Sequence, residues 1–251
     1  MKPEVFDEDR PRVMVVSHER SGTHFIMNAL AACYGYVSAP ALVFDRRPVN
    51  INFYYPEHVR GFFAQFNEVP MRNIVKAHHA VEFFEDTLAE ITKAFVIIYI
   101  YRDPRDVMIS LHRFMNHWPW REGPKVETCP EFMRAAPCGQ MLRYQDAQHE
   151  TVLHRWMAHV DGWTLGPASG RNPRIVAIRY EDLDRDFEST IRSLGGLLGR
   201  EPTRIELPDP NKNVVLPRIG DRPDRQSIYA PADLDWIESV AGKTMGRLGY
   251  L

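Results

Sequence analysis

Residues 13–30 read VMVVSHERSGTHFIMNAL, and this stretch decides the fold. Its first four residues are apolar and three are β-branched, which is typical of a buried strand. A small polar turn containing Gly22 follows, and Phe25, Ile26 and Leu30 then recur at helical spacing. A strand, a tight turn and a helix direct backbone N–H groups and the positive helix end at one point. The pattern therefore predicts a phosphate or sulfate site, with Arg20 as a cation at its edge.

On its own, this stretch is explained equally well by an ordinary strand–turn–helix unit with a capping Ser or Thr. A Walker loop is excluded, because the first glycine of the Walker pattern is missing upstream of Gly22 and no Lys-Ser/Thr pair follows Gly22. The rest of the chain has to decide between a structural turn and an anion site.

The composition is that of an ordinary globular protein, with 251 residues, 44% hydrophobic and 25% charged. A net charge of −2 argues against general nucleic-acid binding, so any anion site is local. Three scattered cysteines favour a reducing compartment over a disulfide framework. The first residues are charged, without a signal-peptide core, and no apolar run approaches the ~18 residues of a membrane span. We expect a cytoplasmic protein with no nucleic-acid or membrane partner.

Further along the chain, residues 94–101 form the most strand-like run, and they are apolar throughout, as at the centre of a parallel sheet. Arg102 follows this strand at the edge where open α/β sheets bind ligands. Shorter strands are predicted over residues 73–79 and 174–180. Because strands alternate with helices, we predict a single three-layer α/β domain over residues 1–251, with a central parallel sheet flanked by helices. The helices are expected near residue 56 and over residues 81–93, 107–114, 140–165, 187–198 and 231–248, with a lid or substrate-facing insertion around residues 115–140.

Anion-suited residues follow several strands, and at these residues the sequence resembles the sulfotransferases that use 3′-phosphoadenosine-5′-phosphosulfate (PAPS). Residues 19–25, ERSGTHF, are similar to that family's Pro-Lys-Ser-Gly-Thr-Thr-Trp loop for the 5′-phosphosulfate. Residues 101–110 resemble its Arg-Asn-Pro-Lys-Asp-Val…Ser segment, in which Arg and Ser hold the 3′-phosphate. Residues 76–78 resemble the Lys-Thr-His that carries the catalytic histidine. Residues 180–183 resemble a Tyr-Glu-Asp-Leu strand end near the adenine, and residues 218–220 a late Arg-Lys-Gly.

The resemblance implies a P-loop-like fold and sulfuryl transfer from PAPS to a hydroxyl of a small-molecule or natural-product acceptor. The product nucleotide is 3′-phosphoadenosine 5′-phosphate (PAP), and no metal is implied. His78 would be the general base, with Lys76 and Arg20 neutralising the leaving side. The residues implied in nucleotide binding are Arg20, Ser21, Gly22, Thr23, His24, Phe25, Arg102, Ser110, Tyr180, Arg218, Ile219 and Gly220.

The chain also departs from the family pattern. Arg20 replaces a lysine, which keeps the charge but presents a planar fork. His24 stands where a second hydroxyl is usual, and Phe25 replaces a tryptophan but can still stack on adenine. After Gly220 the family's Gly-x-Trp is missing.

Several alternatives stay open. His79 competes with His78, because a one-residue slip in the strand exchanges which of them faces the pocket. Tyr180 contacts adenine or packs in the core. A kinase or nucleotide hydrolase would share the fold, but it needs a Lys-Ser/Thr pair and a metal-binding aspartate that are not in place. A catalytically silent nucleotide-binding protein is the other alternative. The acceptor pocket, which would take a phenol or alcohol, is predicted from the aromatic residues Phe53, Trp118 and Trp120.

Overall fold

One parallel sheet organises the computed structural model, which describes residues 10–36, 49–50, 55–66, 74–117, 122–145, 147–209 and 224–251. In the described part of the chain the sheet has five strands in the order β2-β3-β1-β4-β5. They are β1 (Arg12–Val16), β2 (Val49–Asn50), β3 (Ile74–Ala77), β4 (Phe95–Tyr101) and β5 (Ile175–Arg179). Every pair is parallel, so all strands end at the same edge of the sheet. The central position of β1 places the loop that follows it between the ends of β3 and β4.

The helices surround this sheet. They are α1 (Thr23–Tyr34), α2 (Pro56–Phe66), α3 (Leu88–Ala94), α4 (Pro104–His117), α5 (Cys129–Arg134), α6 (Val152–Leu165), α7 (Tyr180–Arg185), α8 (Phe187–Leu198), α9 (Arg225–Ile228) and α10 (Pro231–Arg247). Two 3₁₀ helices, Val81–Phe84 and Gly139–Tyr144, complete the described elements. None of the helices described here combines the length and apolar character needed to cross a bilayer.

Both faces of the sheet are covered, which confirms the predicted three layers. Val13 and Val15 of β1 pack with α1 and α8, whereas Met14 and Val16 pack on the other face with a cluster that contains Trp163 of α6. This alternation follows from the opposite directions of successive strand side chains. The fully apolar run of residues 94–101 is accordingly buried on both sides as β4. Gly199 ends α8 in the left-handed conformation.

Two predicted helices are wrong in extent. Residues 81–93 form a 3₁₀ helix and then α3, separated by a turn in which the hydroxyl of Thr87 donates to the Phe84 carbonyl at 3.3 Å. Residues 140–165 likewise start as a 3₁₀ helix, and α6 begins only at Val152. The reason is local capping, because the Thr151 side chain accepts the His154 amide at 3.3 Å and so marks the N-terminus of the helix.

The predicted insertion around residues 115–140 contains α5, which packs on α4 and α6 through the buried Phe132 and Met133. Its role as a lid stays a prediction.

Candidate active site

The loop between β1 and α1 has the geometry of an anion-binding turn. Arg20 and Gly22 both adopt positive φ, 65° and 104°. A Cβ at Gly22 would lie 2.4 Å from Cδ2 of Tyr180, so that only glycine fits both the conformation and the space. Gly22 is also the N-cap of α1, and no side-chain hydrogen bond caps this helix end. The first amides of α1 are therefore directed at the loop, as an anion requires.

Arg20 joins two motifs that are far apart in the chain. Its Nε donates to Oγ of Ser110 on α4 at 3.0 Å, and its guanidinium lies 5.5 Å from the ring centre of Phe114. The sequence predicted that both residues serve anion binding at one sheet edge, and the structure brings them into direct contact.

Arg102 follows β4, next to the β1 loop. Its guanidinium donates to Asp106 at 3.2 Å and lies 4.4 Å from the ring centre of Tyr180. Tyr180 therefore packs between Arg102 and Gly22. The buried Nε of Arg102 and the buried Oγ of Ser21 are among the buried side-chain atoms of the described residues that have no hydrogen-bond partner. Buried polar atoms are rarely left unsatisfied, so each of these two atoms is a candidate contact for a polar ligand.

Lys76, on β3, completes a cluster of cations. Burial and then the charge of Arg20 lower its pKa from 10.5 to about 8. Burial and the charge of Arg102 likewise lower the pKa of Arg20. No carboxylate in the described part of the chain pairs with Arg20 or Lys76. Their charges therefore repel one another until an anion enters between them.

His24 lies in the same field. Burial, and then Lys76 and Arg20, lower its pKa to about 3, so this side chain is neutral near pH 7. Near pH 7 it adds no charge to the site and is available as a neutral hydrogen-bonding group.

His78 is held as a neutral imidazole of one tautomer. Its Nδ1–H donates to the Ser17 carbonyl at 2.9 Å, which leaves Nε2 as the acceptor. Burial and then the charge of Lys76 lower its pKa well below 6.5, although Glu19 acts in the opposite direction. The residue is half-buried, whereas His79 is completely buried against Phe83 and Tyr144. Of the two histidines, His78 is the one with an accessible surface beside the cations.

The remaining predicted residues are placed as follows. The hydroxyl of Thr23 lies 2.6 Å from that of Ser17, inside the loop. The Phe25 ring packs on Phe187 and Tyr180 at 6.1 and 5.9 Å between ring centres. Outside the described residues lie Phe53, Trp118, Trp120, Arg218, Ile219 and Gly220.

Sequence reasoning missed three cations and a histidine near the site. Arg225 binds Asp103 and Asp106 at 3.0 and 2.7 Å, beside Arg102. Arg105 also binds Asp103, at 2.6 Å. The other two, Arg155 and His159, lie inside α6. Their i, i+4 spacing on a helix whose tryptophans point inward was the available signal.

The comparisons with known proteins decide the family. A family model described as a sulfotransferase domain matches residues 10–215. The chain belongs to the sulfotransferase family. This confirms the resemblance seen at the loop and at the Arg102 segment.

Individual sulfotransferases agree with this result. Human sulfotransferase 1E1 is 26% identical over 204 residues, which are 80% of this chain and 63% of that protein. The chain thus spans slightly less than two thirds of the length of this curated relative. The structure of mouse sulfotransferase SULT7A1 complexed with PAP shares the fold with a TM-score of 0.58 at 17% identity, over 98% of this chain and 90% of that one. Retinol dehydratase in complex with androsterone and PAP gives 0.57 at 13% identity, over 96% and 83%.

Proposed function

We propose that this chain transfers the sulfuryl group of PAPS to a hydroxyl of a small apolar acceptor, with His78 as the general base. The observation that carries the proposal is the cluster of Arg20 and Lys76, cations without a carboxylate partner among the described residues, beside a neutral histidine at one sheet edge. An anion bound between these cations would relieve their mutual repulsion, and PAPS supplies several negative charges.

The residues fit a doubly phosphorylated nucleotide. The amides at the start of α1, Arg20 and the unpartnered hydroxyl of Ser21 suit the 5′-phosphosulfate. Arg102, with its unpartnered Nε, and Ser110 suit the 3′-phosphate. Ser110 accepts from Arg20, so its own O–H remains able to donate to a phosphate oxygen.

Two further nucleotide contacts rest on the resemblance. The packing of Tyr180 against Gly22 and Arg102 favours a structural role for this ring, with adenine contact as the alternative. A role of residues 218–220 in closing the nucleotide site stays a prediction. The structure of mouse sulfotransferase SULT7A1 is complexed with PAP, the product formed from PAPS, and this supports PAPS as the donor.

The chemistry follows from the positions of three side chains. Nε2 of His78 takes the proton of the acceptor hydroxyl as its oxygen attacks sulfur, while the hydrogen bond that Nδ1–H donates to the Ser17 carbonyl keeps the ring in the required tautomer. Lys76 and Arg20 stabilise the negative charge that develops on the oxygen leaving sulfur. A low pKa suits His78 to this role because the ring is neutral before the reaction, although it also makes the ring a weaker base.

The acceptor class is inferred from the aromatic residues of the chain. The retinol dehydratase neighbour binds androsterone, an apolar alcohol, which supports a hydroxyl acceptor with an apolar body. Phenols, sterols and other apolar alcohols are the acceptors to test first.

The test combines turnover and binding. Radiolabelled PAPS is offered with a panel of phenols and apolar alcohols, and PAP affinity is measured by calorimetry. We expect His78→Ala to lower turnover by roughly 10²–10⁴-fold while PAP affinity is kept. His79→Asn is the matched control and should retain turnover in the folded fraction. Equal loss of turnover and PAP binding in His78→Ala would assign this histidine a structural role. Absence of turnover with every acceptor, together with PAP binding, would favour the silent nucleotide-binding alternative.

The nucleotide assignment has its own test. Arg102→Ala should weaken binding of PAP far more than binding of adenosine 5′-phosphate, which lacks the 3′-phosphate. Equal weakening of both nucleotides would refute the role of Arg102.

A further inference from the structure

A buried network on α6 connects the two halves of the candidate site. Arg155 is 1% exposed and forms a bidentate pair with Glu19, its two terminal nitrogens donating to the two carboxylate oxygens at 2.9 Å each. Glu19 is the residue directly before Arg20. Burial raises the pKa of the Glu19 carboxyl, but the charge and hydrogen bonds of Arg155 outweigh this and keep the pKa low. The two charges are therefore matched inside the protein.

His18 joins the same pair. Arg155 donates to its Nε2 at 2.8 Å, so its Nδ1 carries the proton and donates to the Glu19 carbonyl at 3.0 Å. Side chain and main chain of Glu19 are thus both fixed to α6. Because the neighbouring Arg20 has a positive φ that costs free energy, this anchoring supplies the surrounding structure that such a conformation needs.

One turn further along α6, His159 reaches the other half of the site. Its Nε2–H donates to the carbonyl of His78 at 3.2 Å, and its Nδ1 accepts from the hydroxyl of Tyr99 at 3.0 Å. The residue is 3% exposed. This hydrogen bond to the main chain fixes the position of the end of β3 and therefore the position of the His78 ring.

We propose that Arg155 and His159 are positioning residues, through which α6 holds the Arg20 loop and the His78 strand end at a fixed separation. This inference rests on the proposed function and deepens it. Arg155 acts through Glu19 on the phosphate-binding loop, and His159 acts through the His78 carbonyl on the base. Reacting groups must be aligned closely for group transfer, so loosening either tether costs rate or affinity.

The two tethers predict different losses. Replacing both charges, Glu19→Met with Arg155→Met, leaves no unpaired buried charge and so keeps the fold, whereas either single replacement would not. This double variant should lose about tenfold in PAP affinity, because Arg20 is no longer held. His159→Phe should keep PAP affinity and lose roughly tenfold to a hundredfold in kcat. His159→Gln retains an N–H donor and should recover most of the kcat.

Asp161→Asn is the control on the same helix. It breaks an ion pair with Arg247 of α10 that involves neither Glu19 nor His78, and it should leave PAP affinity and kcat unchanged. The inference is overturned if the double variant binds PAP as tightly as the wild type, or if His159→Phe and His159→Gln have the same kcat.

A second readout does not depend on turnover. Nitrogen-15 spectra of the imidazoles should show His78 as the Nδ1–H tautomer in the wild type and in Asp161→Asn, and as a mixture of tautomers in His159→Phe. If this pattern of tautomers is found but no sulfuryl transfer is detected, the proposed function is wrong and the positioning role of the α6 network is supported. An unchanged His78 tautomer in a folded His159→Phe would overturn the positioning role of His159.

Discussion

The proposed role of Lys76 predicts that nucleotide binding depends on pH in a range where few side chains titrate. Burial and Arg20 bring its pKa to about 8, so the empty site loses this charge on going from pH 7 to pH 9. A bound polyanion favours the protonated form, which means that at pH 9 binding has to be accompanied by proton uptake. The protonated fraction falls from about nine tenths to about one tenth over this interval. We therefore expect PAP affinity to fall about tenfold, or by about 1.4 kcal/mol.

The other groups of the cluster do not titrate in this interval. The pKa of His24 is about 3 and that of His78 is well below 6.5, so both are neutral throughout. The guanidinium of Arg20 remains protonated in this interval, because arginine side chains are not deprotonated in proteins, although burial and the charge of Arg102 lower its pKa. The second ionisation of a phosphate, with a pKa of about 6, is about nine tenths complete at pH 7 and changes little up to pH 9. The change in affinity therefore reports on Lys76.

Calorimetric titration of PAP at pH 7, 8 and 9 measures this effect. Lys76→Arg is the control, because a guanidinium stays charged and its PAP affinity should be nearly constant. Lys76→Met should bind weakly at every pH, without the loss between pH 7 and pH 9. A tenfold loss that persists in Lys76→Arg would show that another group titrates, and a constant affinity in the wild type would refute a pKa near 8.

Two further substitutions test the loop and its contact with α4. Gly22→Ala should lower the melting temperature more than Gly199→Ala and should also weaken PAP binding. The reason is that a Cβ at Gly22 would lie 2.4 Å from the Tyr180 ring, whereas a Cβ at Gly199 meets nothing within 4 Å. If the two variants had equal effects on melting temperature and on PAP binding, only the positive φ would matter. Ser110→Ala should weaken the binding of PAP by about tenfold and the binding of adenosine 5′-phosphate much less. The control Ser193→Ala removes an exposed helix hydroxyl and should change the affinity for neither nucleotide. An equal loss for both nucleotides in Ser110→Ala would exclude a specific contact with the 3′-phosphate.

The elements that the sequence predicts well are those whose signal is contiguous. The apolar run of β4 and the strand–turn–helix around Gly22 each lie within about twenty residues, and their periodicity is that of the structure formed. The break before Val152 was missed because helical periodicity continues through the 3₁₀ helix of residues 139–144. Only the cap at Thr151 marks the true start. A capping residue is a weaker signal in sequence than a run of correctly spaced apolar residues.

Which site residues could be predicted depends on whether they follow a strand of the sheet. Parallel strands end at one edge, so residues after β1, β3 and β4 could be placed together without any knowledge of their contacts, and Arg20 does meet Ser110 across 90 residues of chain. No such rule brings Arg155 to Glu19 across 136 residues, because α6 approaches this edge from outside the strand order. The residue type alone does not distinguish Arg155 from Arg20. The difference lies in pairing: Glu19 neutralises Arg155 and makes it part of the framework, whereas Arg20 has no carboxylate partner among the described residues and so retains its charge for a ligand.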